Sequence, residues 1–489
     1  MTTAELQQQL TILQSGIKID APLVARFFDV QTPLGEYTDA LNQHTAHPAH
    51  RERQKVLKEK VLQILARQFS AKELADANIN TETDWKINIV DHHGFLNHPI
   101  LVSTNIIANL NAMPTEKPEA VIVLSDSGVP MNNFFHKRGL KFRDTQLNII
   151  PSRDRHVMAV AAGVRQPIEL VKAARTAGLT KAADLDFLES IQETLNDVAL
   201  DPRVKNFRDQ VTRSNAVLWK LLWEESLRDQ MPELLYVANE DLATALLADY
   251  LQDSDNLFHR ILFDPETRAV VLREFNTVTG CWDIPGTRGT AFFWGVDETG
   301  SAVRMVLSSD GNALVSDSDK SNIRIALTLK SITAALQTGH IYPSMFLVYG
   351  IANFYCGVRP LVGYGSMNYQ TAMKASWLRT LADIAPEEVA LVETVPTDGF
   401  IGGPKVTFGW SADHGYYDLF ALDSIANGGL SRSYLEALKQ MPFADILRPA
   451  LPDIYDSYVR PERKQPITVT GADFMGESFD WLKTMKQQD

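Results

Sequence analysis

Hydrophobic and polar positions along the chain change period several times. Leu6, Leu10 and Leu13 recur at helical spacing, and so do Val56, Val61, Ile64 and Leu65, which predicts a helical N-terminal segment over residues 1–84. Trp85–Val90 alternates as a strand does. The series Ile100, Leu101, Ile106, Ile107 and Leu110 then predicts a helix. The unbroken apolar run Ala120–Leu124 has the pattern of a strand buried on both faces. Strand, helix and strand at this spacing form the βαβ unit of a parallel sheet. Further on, Asp184–Val198 and Ala216–Arg228 carry helical periodicity, with Trp219, Leu222 and Trp223 as core positions. Phe258–Phe275 reads as a hairpin turning at Asp264-Pro265-Glu266-Thr267, and Phe292–Leu307 as a second hairpin turning over Asp297–Gly300. Helical patterns follow at Ile323–Leu336 and from Pro343 onward.

The expected fold is therefore α/β, a mostly parallel sheet core with a helical N-terminal segment and β-hairpin additions in the second half. The organisation divides into 1–84, an α/β core with candidate active-site loops over 85–200, a helical and hairpin region over 201–380, and a C-terminal α/β region and tail over 381–489. Pro461 and Pro466 break regular structure in the last stretch, which reads as a surface extension.

Composition narrows the function classes. The 489 residues are 45% hydrophobic and 22% charged, enough to bury a sizeable core. A formal net charge of −13 argues against a general nucleic-acid coat or a binder of anionic membranes, because phosphate contacts need clustered cations. The two cysteines, Cys281 and Cys356, cannot build a disulfide framework or a cysteine zinc site. The polar, amphipathic start lacks the pattern of a secretory leader. The most apolar stretch, Met345–Val358, is shorter than the ~20 residues a bilayer requires. A soluble, cytoplasmic protein is expected, with a small-molecule partner, no nucleic acid and no membrane. Self-association into a homo-oligomer is compatible with the composition.

Candidate chemistry concentrates after the two early strands, where loops of parallel sheets face a crevice. The first constellation is Asp91-His92-His93-Gly94-Phe95-Leu96-Asn97-His98. Imidazoles and a carboxylate at this density suit a divalent metal or proton transfer. Gly94 lets the chain turn so that His98 can come back toward His92 or His93. Neighbours on an extended segment point to opposite sides, so all three are not expected on one ion. Part of this stretch, Ile87–Gly94, resembles the signature of the DHH phosphoesterases, in which a strand ends in Asp-His-His and helps build a two-metal site. The upstream Asp-x-Asp motif of that family is absent from residues 1–84, and its downstream glycine-glycine-histidine motif is missing too.

The second constellation is Ser125-Asp126-Ser127-Gly128-Val129-Pro130-Met131-Asn132-Asn133. Asp126 is a candidate base or metal ligand, and Ser125, Ser127, Asn132 and Asn133 are candidates to orient a polar substrate. The third is basic. Arg138, Arg153, Arg155 and His156 stand out in an acidic chain and suit a phosphate or carboxylate. Leu361–Tyr369 loosely resembles a glycine-rich phosphate loop but lacks its lysine.

These residues predict a metal-assisted hydrolase or lyase acting on a small polar anionic metabolite. Asp91, His92, His93 and Asp126 would be catalytic. Ligands for a divalent metal (Zn, Fe or Mn) would be drawn from His92, His93 and His98. Alternatives are a metal-independent group-transfer or condensing enzyme and a non-catalytic metabolite-binding protein.

Overall fold

The computed structural model describes residues 2–43, 46–79, 91–284, 286–318 and 321–485. At its centre, strands Val121–Ser125 and Leu234–Ala238 pair in parallel, with Val121 opposite Leu234 and Ser125 opposite Ala238. Every residue of both is buried. Alternation sends Val121, Val123, Leu234 and Tyr236 into one core and Ile122, Leu124, Leu235 and Val237 into another. Val102 and Ile106 of the Pro99–Asn109 helix and Val211 and Leu218 of the Phe207–Leu221 helix belong to the first core. Leu57 and Val61 of the Pro48–Gln68 helix and Leu242 and Leu246 of the Asn239–Tyr250 helix belong to the second. A strand removed from water on both faces gains from each, at about 25 cal/mol per Å² of apolar surface, and so needs the continuous apolar run seen at Val121–Leu124.

The sheet is extended at one end. His92 bridges Asp126 in parallel register. The Asp126 amide donates to the Asp91 carbonyl (3.0 Å), and the His93 amide donates to the Asp126 carbonyl (2.8 Å). The strand expected at Trp85–Val90 lies outside the described residues. Among the described residues the parallel strand pairing is this pair with its one-residue extension, the other parallel contacts being isolated bridges at Trp223–Leu430, Asn276–Trp282 and Val362–Ile401. A mostly parallel sheet core is therefore not what they form. The remaining strands are antiparallel, in two hairpins and two three-stranded sheets. The hairpin expected at Phe292–Leu307 is present, with Phe293–Val296 paired to Ala302–Val303 across the Asp297–Gly300 turn. There Asp297 Oδ1 accepts the Thr299 and Ser301 amides.

Two expectations are corrected. Residues 258–275 are not a hairpin but two helices, Leu257–Phe263 and Pro265–Glu274. Asp264 caps the second, accepting the Glu266 and Thr267 amides, and Pro265 occupies its first turn. Asp-Pro is a turn signal and equally a helix-start signal, and the apolar positions around it resolved to helices. The C-terminal stretch is not a surface extension. Phe474, Met475, Phe479 and Leu482 are buried in the first core. Its prolines interrupt regular structure without removing the apolar side chains that anchor it.

The apolar segment after Pro343 forms a helix, Met345–Tyr349, that continues as a π-helical turn over Gly350–Tyr355. Most of its residues are buried. No helix among the described residues is long and apolar enough to cross a membrane.

Candidate functional site

The ends of the two parallel strands and the Asp91–His98 segment come together at one place. His92 and Asp126 are ladder partners, so their neighbours alternate between two surroundings. His93 points inward and is fully buried. Its Nε2 faces the Arg208 carbonyl at 3.0 Å and must carry the proton there. Its Nδ1 faces Ser125 Oγ at 2.8 Å and accepts that hydroxyl's hydrogen. Burial lowers its pKa to about 4, keeping the ring neutral. With both nitrogens engaged, His93 is a structural group in this arrangement, and neither its lone pair nor its proton is offered to a ligand.

His92 and His98 are different. Both are half-buried and line a cavity of about 380 Å³. His92 Nδ1 lies 3.4 Å from Asn133 Oδ1. That oxygen also accepts the Phe135 and His136 amides, which fixes it as the acceptor and makes His92 Nδ1 the donor. The lone pair of His92 is then on Nε2. His98 has the opposite tautomer. Its Nδ1 caps the Pro99–Asn109 helix by accepting the Ile100 amide at 3.3 Å, so its proton is on Nε2. Burial lowers the His92 pKa to about 4. Burial, then Lys405, His136, Lys137 and Lys141, holds His98 well below the ordinary value. Two neutral imidazoles, one an acceptor and one a donor, therefore line the same cavity.

Asp126 sits behind this wall. Its Oδ1 accepts Asn239 Nδ2 at 2.7 Å and its Oδ2 accepts Tyr349 Oη at 2.5 Å. Tyr349 Oη is 3.4 Å from Tyr369 Oη, and Tyr369 lines the cavity. Burial first, then the neighbouring Glu240 charge, raises the Asp126 pKa to about 7, against the opposing hydrogen bonds of Tyr349 and Asn239. Asp91 is also raised to about 7 by burial, although Tyr236 Oη donates to it. Its Oδ1 has no hydrogen-bond partner among the described residues. Carboxyls poised near neutrality, beside a cavity, are the usual signature of proton chemistry.

The other expected substrate-binding residues go elsewhere. Ser127 donates through its amide (2.8 Å) and Oγ (2.6 Å) to Glu240, which also takes the Gly128 amide. Asn133 caps the loop and meets the site through His92 and the Phe135 amide. Asn132 is exposed, and its amide bonds the Arg155 carbonyl. Arg138 donates to the Ile150 carbonyl, Arg153 is 86% exposed beside Asp154, and Arg155 contacts His156. Neither the four serines and asparagines nor Arg138, Arg153, Arg155 and His156 line the cavity. The divalent metal expected on His92, His93 and His98 would meet this donor set. His93 is fully hydrogen-bonded, and among the described residues no three His, Cys, Asp or Glu side chains are grouped to hold an ion.

Several cavity residues escaped the sequence reading. Lys405 Nζ donates to Asp418 Oδ2 (2.6 Å) and Asp453 Oδ2 (2.8 Å), all three lining the cavity. No local pattern marks them. Phe134, Phe135 and Phe420 surround His98 with ring centroids 5.9, 5.0 and 5.6 Å away. Asn239 and Glu240 could have been found, since they directly follow a strand, where the rule that selected Ser125–Asn133 applies equally.

A scan against protein-family models and a search of curated proteins find no match to this chain. The phosphoesterase resemblance rests on Ile87–Gly94 alone, of which 87–90 lie outside the described residues.

Proposed function

We propose that the cavity is the active site of an enzyme that moves protons on a small molecule, in a hydrolysis or an elimination. The carrying observation is the opposed pair of tautomers. His92 Nε2 offers a lone pair and His98 Nε2 a proton to one space, both rings being neutral at pH 7. Asp126 is the third participant. Its connection through Tyr349 to Tyr369 gives a carboxyl near neutrality a hydrogen-bonded route to the cavity. In this reading His92 takes a proton from substrate or water, His98 donates toward the developing charge, and Asp126 restores the proton balance through the tyrosines. Phe134, Phe135 and Phe420 supply the apolar surface that excludes water and holds the rest of the substrate.

The test is a panel of chromogenic esters, phosphate esters and β-elimination substrates, assayed with and without chelator. Turnover is expected to survive chelation and to fall about 100-fold or more in His92→Ala, the span general acid–base catalysis supplies. Tyr369→Phe should alter the pH profile more than KM. Turnover lost on chelation and restored by Zn, Fe or Mn would replace this reading with a metal-assisted one. Undiminished turnover in His92→Ala would remove the histidine from the mechanism.

A further inference from the structure

We propose that Phe135 is a positioning residue of this site. Its ring touches both His92 and His98, and the turn that carries it, Asn133–His136, decides where the accepting and the donating imidazole stand. The inference rests on reading the cavity as the active site, and it gives the adjacent Phe134 and Phe135 different tasks.

Hydrogen bonds alone hold neither histidine firmly. His92 Nδ1 reaches Asn133 Oδ1 at 3.4 Å, and His98 Nδ1 caps its helix at 3.3 Å, both long for such bonds. Both rings are neutral, so no charge pair fixes their separation. Phe135 meets both. Its ring centroid lies 4.7 Å from that of His92 and 5.0 Å from that of His98, with the planes at 78° and 80°. Aromatic rings at these distances prefer the edge-to-face arrangement, so one ring engaged in two such contacts sets the two imidazoles relative to each other.

The turn is itself docked on the segment that bears the histidines. Asn133 Oδ1, the acceptor of His92, also takes the Phe135 amide at 3.0 Å and the His136 amide at 3.3 Å, and Asn133 Nδ2 donates to the Pro130 carbonyl at 2.9 Å. The His136 ring lies on Gly94, where a Cβ would overlap it. Gly94 is outside the left-handed region, so what its missing side chain supplies is room for this contact. The turn therefore meets the Asp91–His98 segment at His92, Gly94 and His98. Phe134 is placed differently. It packs on Phe135 with centroids 5.3 Å apart, but it is 63% exposed at the cavity and has a surface left for a ligand to cover.

The experiment uses the full chain labelled with 15N-histidine, in which the ring-nitrogen shifts report the tautomer of each imidazole, together with kinetics on the chromogenic substrate that the unaltered protein turns over. The unaltered protein should show His92 protonated on Nδ1 and His98 on Nε2. Phe135→Leu keeps an apolar side chain at a half-buried position, so the thermal midpoint should change little, and Phe135→Met takes its place if it does not fold. In the variant the His92 signals should move toward the average of the two tautomers, while those of His93, engaged at both nitrogens, stay where they are. Turnover should show kcat lowered about tenfold or more with KM within about threefold, the mark of misplaced reacting groups rather than lost binding. Phe134→Leu should instead raise KM and leave the His92 signals in place. Averaged His92 signals in a protein that turns over no substrate would uphold the positioning role and remove the catalytic reading. A single unshifted His92 tautomer in a folded Phe135 variant, or a raised KM with unchanged kcat there, would overturn the proposal whatever the protein catalyses.

Discussion

Adjacent histidines in this chain have opposite fates, and the difference should be measurable. His93→Ala would leave Ser125 Oγ and the Arg208 carbonyl unpaired in a closed interior and open a void. A loss of about 2–4 kcal/mol is expected from urea denaturation. His98→Ala removes a helix cap and should cost about 1 kcal/mol. His92→Ala gives up a single long contact to Asn133 and should cost least of the three. Equal losses at His92 and His93 would show that the inward and outward assignments are wrong. The alternation itself was legible in the sequence, because neighbours on an extended segment face opposite sides. Which of the two faced the cavity was not, because that depends on the Arg208 carbonyl, brought in from the Phe207–Leu221 helix.

At the scale of elements, periodicity located most helices and missed their punctuation. Asp264-Pro265 has the pattern of a turn between strands and is the start of a helix. Asp264→Ala should therefore destabilise the protein by about 1 kcal/mol, since the Glu266 and Thr267 amides lose their acceptor. Asp264→Asn, which keeps an acceptor, should restore most of it. Both are readable as shifts in thermal midpoint, and a hairpin at this position would show no such preference. The π-helical turn after Tyr349 has no comparable signature in the sequence. It follows the residue whose hydroxyl must reach Asp126, at a place where helices with functional side chains often widen.

For the whole molecule, burial sets opposing pH dependences. Asp91 and Asp126, raised to about 7 by burial, stabilise the fold below the carboxyl's unfolded value and lose that contribution as pH rises toward 7. His92 and His93 at about 4 and His136 at about 3, lowered by burial, contribute above the unfolded imidazole value and lose it as pH falls. Between about pH 4.5 and 6 unfolding takes up protons on the imidazoles and releases them from the carboxyls, so the trends partly cancel. Asp126→Asn removes one released proton. Its stability should fall more steeply on acidification than that of the parent, by about 1.4 kcal/mol per pH unit. Denaturant curves at pH 6 and pH 5 for the two proteins decide this, and parallel slopes would mean that Asp126 is ionised in the native state.

The local order of residues was enough to specify helices such as Pro99–Asn109 and Ala182–Leu200, the doubly buried strand at Val121–Ser125 and the meeting of the Asp91–His98 and Ser125–Asn133 segments, though not the two helices around Asp264. Short-range periodicity and the parallel-strand rule depend only on neighbouring residues. Three-dimensional packing chose the cavity's remaining walls. Lys405, Asp418 and Asp453 lie hundreds of positions from His92, and nothing in their own neighbourhoods marks them, whereas the glycine-rich Leu361–Tyr369 stretch stood out locally but not as a neighbour of His92. It also turned the arginines away. A cation's role depends on the space it faces, and Arg138, Arg153 and Arg155 face their own loop and solvent, while Lys405, which lines the cavity, is held between the carboxylates of Asp418 and Asp453.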